Sequence, residues 1–443
     1  MTEQQELPIA IIGAGPVGLA AAAHVLERGL TPVVFEKGPT VGTSIRQWGH
    51  IRLFSPWQYN IDDAARRALE PTGWTVPRPT ALPFGSELVE SYLEPLAALP
   101  EVAGALRFGC EVLAVTRHGL DKTRTKGREV TPFLVRVSGP HGLEDHLVRA
   151  VIDASGTWTQ PNPLGQAGLP APGERAARQY ITAPLPDITG AERGRVSGKR
   201  VMVVGAGHSA ANTLLSLGQV AKADPGTRVL WAVRGEGSAQ RLYGGGDLDG
   251  LPARGALGSR LRSLVEDRVV ELLTQFTITS LKTDDDALTV RSETPDGERE
   301  VEVDVLVPAT GFRPNLDMLR ELRLEMDPAV EAPRALGPLI DPEFHSCGTV
   351  RAHGAEVLAH PEKDFYLVGM KSYGRAPTFL LATGYEQVRS VVAAIAGDHQ
   401  AASAVRLELP ETGVCSTGLG GTLNVPVGEQ RVTASATIGY CRS

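Results

Sequence analysis

The chain has 443 residues, 42% of them hydrophobic, which suffices for two or three domains with a substantial core. Its 44 Lys and Arg residues stand against 51 Asp and Glu residues, and this net charge of −7 argues against a nucleic-acid-binding surface. The 49 glycines and 32 prolines lie among apolar segments and form no repeat, which excludes a collagen-like or wholly disordered chain.

The start of the chain and its cysteines favour a cytoplasmic protein. Residues 1–6 are acidic where a signal peptide needs basic residues. The longest apolar run, residues 9–23, is interrupted by glycines and a proline, so it cannot span a bilayer as a continuous helix. The cysteines lie far apart, as is typical of a reducing compartment, at Cys110, Cys347, Cys415 and Cys441.

Residues 8–36 have the pattern of a dinucleotide-binding unit, in which a buried strand is followed by a glycine turn, a helix and a second strand. Gly13 permits the sharp turn, and Gly15 lets backbone N–H groups approach a pyrophosphate at the helix N-terminus. Gly18 lets the helix pack closely on the strand. Glu36 ends the second strand, where an acid accepts hydrogen bonds from an adenosine ribose.

The same pattern recurs at residues 200–212 and predicts a second dinucleotide site. Gly205 and Gly207 repeat the first two glycines, and Ala210 replaces the third, which loosens the approach of helix to strand slightly. We expect His208, inside this turn, to lie beside the phosphates of the dinucleotide.

The second strand of this unit ends at Arg234 and not at an acid. A ribose that carries a 2′-phosphate requires a cation at this position and would be repelled by a carboxylate. The sequence therefore predicts NADPH in preference to NADH. The alternative interpretation is that Arg234 is an ordinary solvated loop residue.

Each glycine turn is followed by a β-rich stretch and then by an apolar strand that ends in a turn of small residues. The first such turn contains Ser155 and Gly156, and the second contains Thr310 and Gly311. Alternating hydrophobicity predicts antiparallel meanders in between, at residues 111–116, 133–137, 276–281 and 288–291. The matched order predicts two similar units.

This combination resembles the two-dinucleotide-binding-domain flavoproteins, the superfamily of flavin-containing monooxygenases and pyridine-nucleotide disulfide reductases. The resemblance covers roughly residues 7–398. It implies an α/β fold with two Rossmann-like domains, the second inserted in the first. An FAD-binding domain would comprise residues 1–163 and 312–398, an NADPH-binding domain residues 164–311, and a C-terminal tail residues 399–443.

The resemblance implies FAD at the first glycine motif and NADPH at the second. The residues expected around FAD are Gly13, Gly15, Pro16, Gly18, Glu36, Lys37, Arg46, Gln47, Trp48, Asn60, Gly369, Thr378 and Phe379. Those expected around NADPH are Gly205, Gly207, His208, Ser209, Ala210 and Arg234. The crossings between the domains are expected at Ser155, Gly156, Thr310 and Gly311. The sequence identifies no catalytic residue.

The reductase branch requires two thiols close together, and no two cysteines of this chain lie within six residues of each other. Cys415 and Cys441, in a tail rich in Gly, Thr and Ser, could still meet in the fold. In addition, Met370 stands where reductases place an Asp on the ribityl chain.

The monooxygenase branch fits the overall plan better. Residues 42–60 resemble its flavin-adjacent loop, in which polar groups stand among rigid aromatic residues, although Trp48 and Trp57 are also explained as core residues. The F-x-G-x-x-x-H fingerprint of that branch is absent from residues 178–187, which argues against Baeyer–Villiger chemistry.

The leading hypothesis is a flavin monooxygenase with a small-molecule substrate and O₂ as partners. NADPH would reduce the flavin, O₂ would form a C4a-hydroperoxide, and a soft nucleophilic atom of the substrate would attack the distal oxygen. The alternatives are an NADPH-dependent reductase of a disulfide, quinone or partner protein, and a flavin redox sensor without turnover. The sequence leaves the oligomeric state open and does not exclude a homodimer.

Three segments resemble the flavin-binding monooxygenase homologues encoded in actinobacterial arsenic-resistance clusters. They are residues 55–60, 204–210 and 371–379. This resemblance implies an arsenical or thiol-linked substrate, although no residue by itself indicates an arsenic site.

One group of potential metal ligands lies within sixteen residues, at His345, Cys347, His353 and His360. Their spacing matches no common zinc pattern. We therefore expect hydrogen-bonded side chains there and no bound metal.

Overall fold

The computed structural model describes residues 6–243, 251–284, 287–343, 350, 352–376 and 379–407. Five residues singled out above lie outside the described residues, namely Thr378, His345, Cys347, Cys415 and Cys441.

The strands, in chain order, are β1 (Ile9–Ile12), β2 (Pro32–Glu36), β3 (Leu106–Phe108), β4 (Glu111–Arg117), β5 (Phe133–Gly139), β6 (Gly142–Val148), β7 (Ala150–Asp153), β8 (Arg200–Val204), β9 (Arg228–Ala232), β10 (Val270–Leu273), β11 (Thr277–Asp284), β12 (Ala287–Thr294), β13 (Gly297–Val303), β14 (Val305–Pro308) and β15 (Phe365–Leu367). The α-helices are α1 (Pro16–Glu27), α2 (Thr43–Arg46), α3 (Asp63–Leu69), α4 (Gly85–Leu88), α5 (Glu94–Ala97), α6 (Pro100–Ala105), α7 (Arg193–Val196), α8 (His208–Ala223), α9 (Ser238–Tyr243), α10 (Pro252–Glu266), α11 (Gly337–Ile340), α12 (Ala355–Leu358), α13 (Leu381–Ile395) and α14 (His399–Ser403).

The first glycine motif belongs to a five-stranded parallel sheet with the strand order β15–β7–β1–β2–β3. Every residue of β1 is buried because both faces of the sheet are covered. Successive side chains of a strand point to opposite faces. Ile9 and Ile11 therefore pack in the helical core that contains α1 and α13, whereas Ala10 and Ile12 pack against the first meander.

The second glycine motif belongs to a four-stranded parallel sheet with the order β10–β9–β8–β14. Its core has the same two-sided construction. Val201 and Val203 of β8 pack with α8 and α10, and Met202 and Val204 pack with the second meander. The repeated pattern in the sequence thus produces two α/β units.

Two antiparallel meanders complete the units, β4–β5–β6 in the first and β11–β12–β13 in the second. All four segments predicted from alternating hydrophobicity contribute to these strands. The predicted α/β fold with two Rossmann-like cores and antiparallel meanders is therefore confirmed.

The chain passes between the two sheets in two connectors, one after β7 and one after β14, and these connectors lie side by side. Asn162 N donates to Gly311 O (2.9 Å), and Arg313 N donates to Gln160 O (2.9 Å). The Thr310 hydroxyl also donates to Asn162 O (2.6 Å). The domain boundaries predicted near these connectors stay predictions.

A buried ion-pair cluster joins the first meander to the segment before β15. The Glu362 carboxylate accepts hydrogen bonds from Arg117 Nε (2.7 Å) and Arg128 Nη2 (2.8 Å) and from the backbone N–H of Arg323 (3.0 Å). Burial alone would raise the pKa of Glu362, but the hydrogen bonds from Arg128 and Arg117 outweigh it and hold the pKa below its ordinary value.

No helix within the described residues is long and apolar enough to cross a membrane.

Candidate functional site

A cavity of about 430 Å³ lies at the carboxyl ends of the strands of the first sheet, where open α/β sheets bind their ligands. Gly13, Gly15 and Pro16 of the first glycine turn line it, and so do His208 and Ser209 of the second. One cavity therefore reaches both glycine turns, so that two dinucleotides bound at these turns could meet in it.

Aromatic side chains form much of the cavity wall, with Trp48, Phe54 and Phe379 among them. Two more, Trp158 and Phe312, come from the two connectors, and their ring centroids are 4.9 Å apart. Apolar walls of this kind are typical of small-molecule and cofactor sites, because they exclude water and leave a few polar groups to orient the ligand.

The first glycine turn is shaped by close contacts between backbone atoms. Gly13 has a φ of +99°, and a Cβ atom there would lie 2.9 Å from Ala154 O. A Cβ on Gly18 would lie 1.9 Å from Gly13 O. Around Gly15, by contrast, no protein atom lies within 4 Å of the Cβ direction. Gly15 also precedes α1 without a side-chain cap, so no capping side chain accepts from the first N–H groups of α1.

Glu36 links the end of β2 to this turn and lines the cavity. One carboxylate oxygen accepts a hydrogen bond from Ala14 N (2.7 Å), and the other accepts one from Gly38 N (2.7 Å). A carboxylate has about four acceptor positions, so both oxygens keep capacity for the ribose hydroxyls predicted from the sequence.

The second turn repeats this construction. Gly205 has a φ of +133°, and a Cβ there would lie 2.0 Å from Ala309 O, whereas Gly207 again has open space and precedes α8. Ala210 is fully buried in the core of the second unit, where its methyl group is accommodated. Arg234 is exposed just beyond the end of β9.

Sequence reasoning missed a buried ion pair beside the cavity. Lys371 Nζ donates to Asp153 Oδ2 (2.6 Å) and to the hydroxyl of Ser155 (3.0 Å), and that hydroxyl donates to Asp153 Oδ1 (2.7 Å). The side chains of Lys371 and Asp153 are 1% and 0% exposed. Ser155 lines the cavity, so the pair fixes the direction of a hydroxyl in its wall. An acid at the end of the apolar strand β7 was the only signal for it in the sequence.

The segment after β15 forms another part of the wall through Gly369 and Phe379. Gly369 N donates to the side-chain oxygen of Gln387 in α13 (2.7 Å), and the Gln387 amide donates to Ser372 Oγ (2.9 Å). A Cβ on Gly369 would approach the Val17 side chain to 3.2 Å. Gly369 thus lets this segment pack tightly against α1.

Some predicted side chains do not face the cavity. Lys37 pairs with Glu111 (2.6 Å) and Arg46 with Glu94 (2.5 Å), both at the surface. The buried amide of Asn60 bonds to Ser55, and Gln47 accepts a hydrogen bond from the indole of Trp158 (2.7 Å). These contacts give no support to a cofactor role for Lys37, Arg46 or Asn60. Gln47 does not line the cavity itself but contacts Trp158, which does. Gly18, Thr310 and Gly311 do not line the cavity either. They lie in backbone segments that pack around it.

The described residues contain no cluster of His, Cys, Asp or Glu able to hold a metal ion. His353 is hydrogen-bonded to Gln387 (2.9 Å), and His360 Nδ1 accepts from Glu325 N (3.2 Å). Burial lowers the pKa of His360 to about 4. Both histidines therefore have structural contacts.

A second, more open cavity of about 980 Å³ lies beside the connectors, near Arg175, Arg178 and Arg313. It reaches neither glycine turn. For this reason the cavity between the two turns is the candidate functional site.

A family model described as pyridine nucleotide-disulphide oxidoreductase matches residues 7–332. A comparison with curated proteins finds no match.

Solved structures with the same fold include both reductases and monooxygenases. Bacillithiol disulfide reductase from Bacillus cereus has a TM-score of 0.63 and 17% identity, covering 88% of this chain and 99% of its own. The FAD-bound cadaverine monooxygenase of desferrioxamine biosynthesis from Erwinia amylovora has a TM-score of 0.62 and 13% identity, with 93% and 99% coverage. An ornithine N-hydroxylase from Kutzneria sp. 744, with reduced FAD, NADP⁺ and L-ornithine, has a TM-score of 0.59 and 16% identity, with 89% and 99% coverage.

Proposed function

Because the chain belongs to the pyridine nucleotide-disulphide oxidoreductase family, we propose that it is an FAD-dependent, NADPH-using monooxygenase that oxygenates a soft nucleophilic atom of a small substrate. The observation that carries this proposal is that one mainly apolar cavity extends from the first glycine turn to the second. The division into an FAD domain (residues 1–163 and 312–398) and an NADPH domain (residues 164–311) is part of the proposal.

FAD is assigned to the first turn. The open space at Gly15 and the N–H groups at the start of α1 would accept its diphosphate, and Glu36 would accept hydrogen bonds from its ribose. NADPH is assigned to the second turn, where Gly207 has the same open space and Arg234 offers a cation for the 2′-phosphate. Bound FAD would supply the hydride acceptor and the reactivity toward O₂.

The chain's own contribution is to position the cofactors and exclude water. Trp48, Phe54 and Phe379 contribute apolar rings to the cavity wall, and Trp158 and Phe312 add two more where the connectors meet. The overall reaction balances as substrate, O₂, NADPH and H⁺ giving oxygenated substrate, NADP⁺ and H₂O. Such a reaction needs no nucleophilic or metal-binding side chain, which agrees with a site made mostly of apolar groups.

The resemblance to homologues from arsenic-resistance clusters guides the choice of substrate. A trivalent arsenical and a thiol-linked compound both present a soft atom with a reactive lone pair. We propose these two classes as the first to be tested.

A second candidate is an NADPH-dependent reductase. The family's description and the similarity to a bacillithiol disulfide reductase support it. Within the described residues, Cys110 is a free cysteine that does not line the cavity, and burial raises the pKa of its thiol. A reductase would therefore depend on an external acceptor or on cysteines elsewhere in the chain.

The deciding experiment incubates the FAD-loaded protein with NADPH, isotopically labelled O₂ and each soft nucleophile. A monooxygenase incorporates one labelled oxygen atom per NADPH into the product. A reductase instead oxidises NADPH under anaerobic conditions when a disulfide or quinone is added. If the protein binds both cofactors but oxidises NADPH no faster than background in either case, it is a redox sensor, and both enzymatic proposals fail.

A further inference from the structure

Arg52, an arginine exposed to solvent, is the permanently charged cation among the described residues that line the cavity. The ionisable side chains among the described lining residues are Glu36, Arg52 and His208. Glu36 is engaged by two backbone N–H groups at the first glycine turn, and the His208 ring lies 5.0 Å from Phe54. Arg52 thus supplies the permanent positive charge of a wall that is otherwise mainly apolar.

The backbone around Arg52 is held firmly. Arg52 pairs with Phe84 in an antiparallel bridge, Leu53 N donates to Pro83 O (2.8 Å), and Gly85 N donates to Ile51 O (2.9 Å). The guanidinium carbon also lies 4.4 Å from the centroid of the Phe84 ring. Stacking on an aromatic ring restricts the side chain, so less conformational freedom is lost when a ligand binds.

The contact with the Phe84 ring uses no hydrogen-bond acceptor, so the N–H groups of the guanidinium remain for other acceptors. Across the described ranges, no protein acceptor takes a hydrogen bond from the Arg52 guanidinium and no carboxylate lies within ion-pairing distance of it. Arg46, Arg66 and Arg136, in contrast, all pair with carboxylates. Arg52 therefore presents an uncommitted pair of donors with the geometry that suits an oxyanion.

We propose that Arg52 forms an oxyanion subsite in the cavity wall, which binds a carboxylate or similar oxyanion on the substrate and so directs the substrate's soft atom toward the flavin. The inference rests on the proposed function and specifies its substrate class: a small molecule with both a soft nucleophilic atom and an oxyanion. A phosphate of NADPH has the same chemistry, and the test below separates the two sources.

The test uses two probes that share an aryl methyl thioether and differ by one carboxylate, thioanisole and 4-(methylthio)benzoate. Their binding to the oxidised, FAD-loaded protein is measured by titration calorimetry, which requires no turnover. We expect the carboxylate probe to bind at least about tenfold more tightly than thioanisole, because a charge-assisted bidentate contact is added. Arg52→Gln should abolish this difference, and Arg52→Lys should retain only part of it.

Arg136→Gln is the matched control, because Arg136 is an exposed arginine of β5 paired with Asp145 and remote from the cavity. It should keep the full preference for the carboxylate probe. Equal binding of the two probes to the unsubstituted protein, or a preference that survives in Arg52→Gln, overturns the proposal. If Arg52→Gln weakens NADP⁺ binding about tenfold and spares the carboxylate preference, Arg52 serves the cofactor's phosphate and the substrate subsite is rejected.

Probe binding tests the Arg52 subsite, and sulfoxide formation from the probes tests the proposed monooxygenase, so the two proposals can fail separately. A carboxylate preference that depends on Arg52, without sulfoxide formation, supports the subsite and contradicts the monooxygenase. Sulfoxide formation from both probes with equal affinity supports the monooxygenase and overturns the subsite.

Discussion

Lys371 and Asp153 form an ion pair of 2.6 Å in the interior of the protein, although 218 residues separate them in the sequence. The pair joins the end of β7 to the segment after β15, and through the Ser155 hydroxyl it reaches the wall of the cavity. Two charges removed from water remain stable only while each has its partner.

Lys371→Met should therefore destabilise the protein by about 3–5 kcal/mol, since it leaves the Asp153 carboxylate buried without a counter-charge. The free energy of unfolding in urea measures this loss. The double variant Lys371→Met/Asp153→Leu should recover most of it, because apolar groups of similar volume replace the pair. A single variant within about 1 kcal/mol of the unsubstituted protein would contradict the buried pairing.

Gly15→Ala should weaken FAD binding by at least about tenfold with little effect on the stability of the apoprotein. The added methyl group meets no protein atom within 4 Å, but it would occupy the space assigned to the diphosphate. FAD affinity is followed by flavin fluorescence and apoprotein stability by thermal unfolding. Gly104→Ala is the control, since the exposed Gly104 of α6 has similar open space; it should leave FAD affinity unchanged and raise apoprotein stability by at most about 1 kcal/mol, because Ala favours a helix over Gly. Unchanged FAD affinity in Gly15→Ala would show that the FAD diphosphate does not bind at the first glycine turn.

Gly13→Ala should behave differently from Gly15→Ala. At Gly13 the backbone is in the left-handed region, and the new Cβ would lie 2.9 Å from a backbone oxygen, so the folded apoprotein itself is strained. We expect a loss of about 1–3 kcal/mol in the free energy of unfolding without any cofactor present. Equal stability of the two apoprotein variants would show that this close approach is not maintained.

Arg234→Gln should raise the KM for NADPH about tenfold and leave the KM for NADH nearly unchanged, because the cation is assigned to the 2′-phosphate. Steady-state oxidation of the two nucleotides gives both constants. Arg228→Gln, at the exposed start of the same strand, should alter neither. If the KM values for NADPH and NADH changed by the same factor, Arg234 would not bind the 2′-phosphate and would be an ordinary surface residue.

Because the pKa of His360 is lowered, we expect the free energy of unfolding to decrease at acidic pH. Burial lowers the pKa of His360 from its usual 6.5 to about 4, so the folded protein binds the proton less readily than the unfolded chain. The stabilisation from the neutral ring is complete above pH 6.5 and is lost as the pH falls toward about 4, amounting to at most about 3 kcal/mol. His360→Gln should flatten the pH dependence of the free energy of unfolding in this window. His141→Gln, in the exposed turn between β5 and β6, should preserve it.

The fold could be predicted from the sequence because its signals are local. The strand, glycine turn and helix of each unit follow one another within about 30 residues, and the approach of Gly18 to Gly13 is a contact within that segment. Alternating hydrophobicity then identified the meanders, because one face of each packs on a sheet.

Several predicted side chains, among them Glu36, Trp48 and Phe379, do line the cavity, but side chains held by long-range ion pairs could not be placed from the sequence. Lys37 directly follows Glu36 and Arg46 ends α2, yet their side chains turn toward Glu111 and Glu94, which are 74 and 48 residues away. Lys371 and Asp153 were missed for the same reason, since a lysine destined for burial has no distinguishing pattern in the sequence. Long-range ion pairs decide where such side chains point, and one sequence does not reveal them.

We propose that one cavity brings NADPH, flavin and a soft nucleophile together, and rapid mixing of the FAD-loaded protein can detect this encounter. NADPH is first added without oxygen, and oxygenated buffer with the nucleophile follows while the flavin spectrum and H₂O₂ are recorded. NADPH should bleach the flavin, and reoxidation should yield oxygenated product with little H₂O₂. A flavin that NADPH does not bleach, or reoxidation that releases one H₂O₂ per flavin with every soft nucleophile, would contradict it.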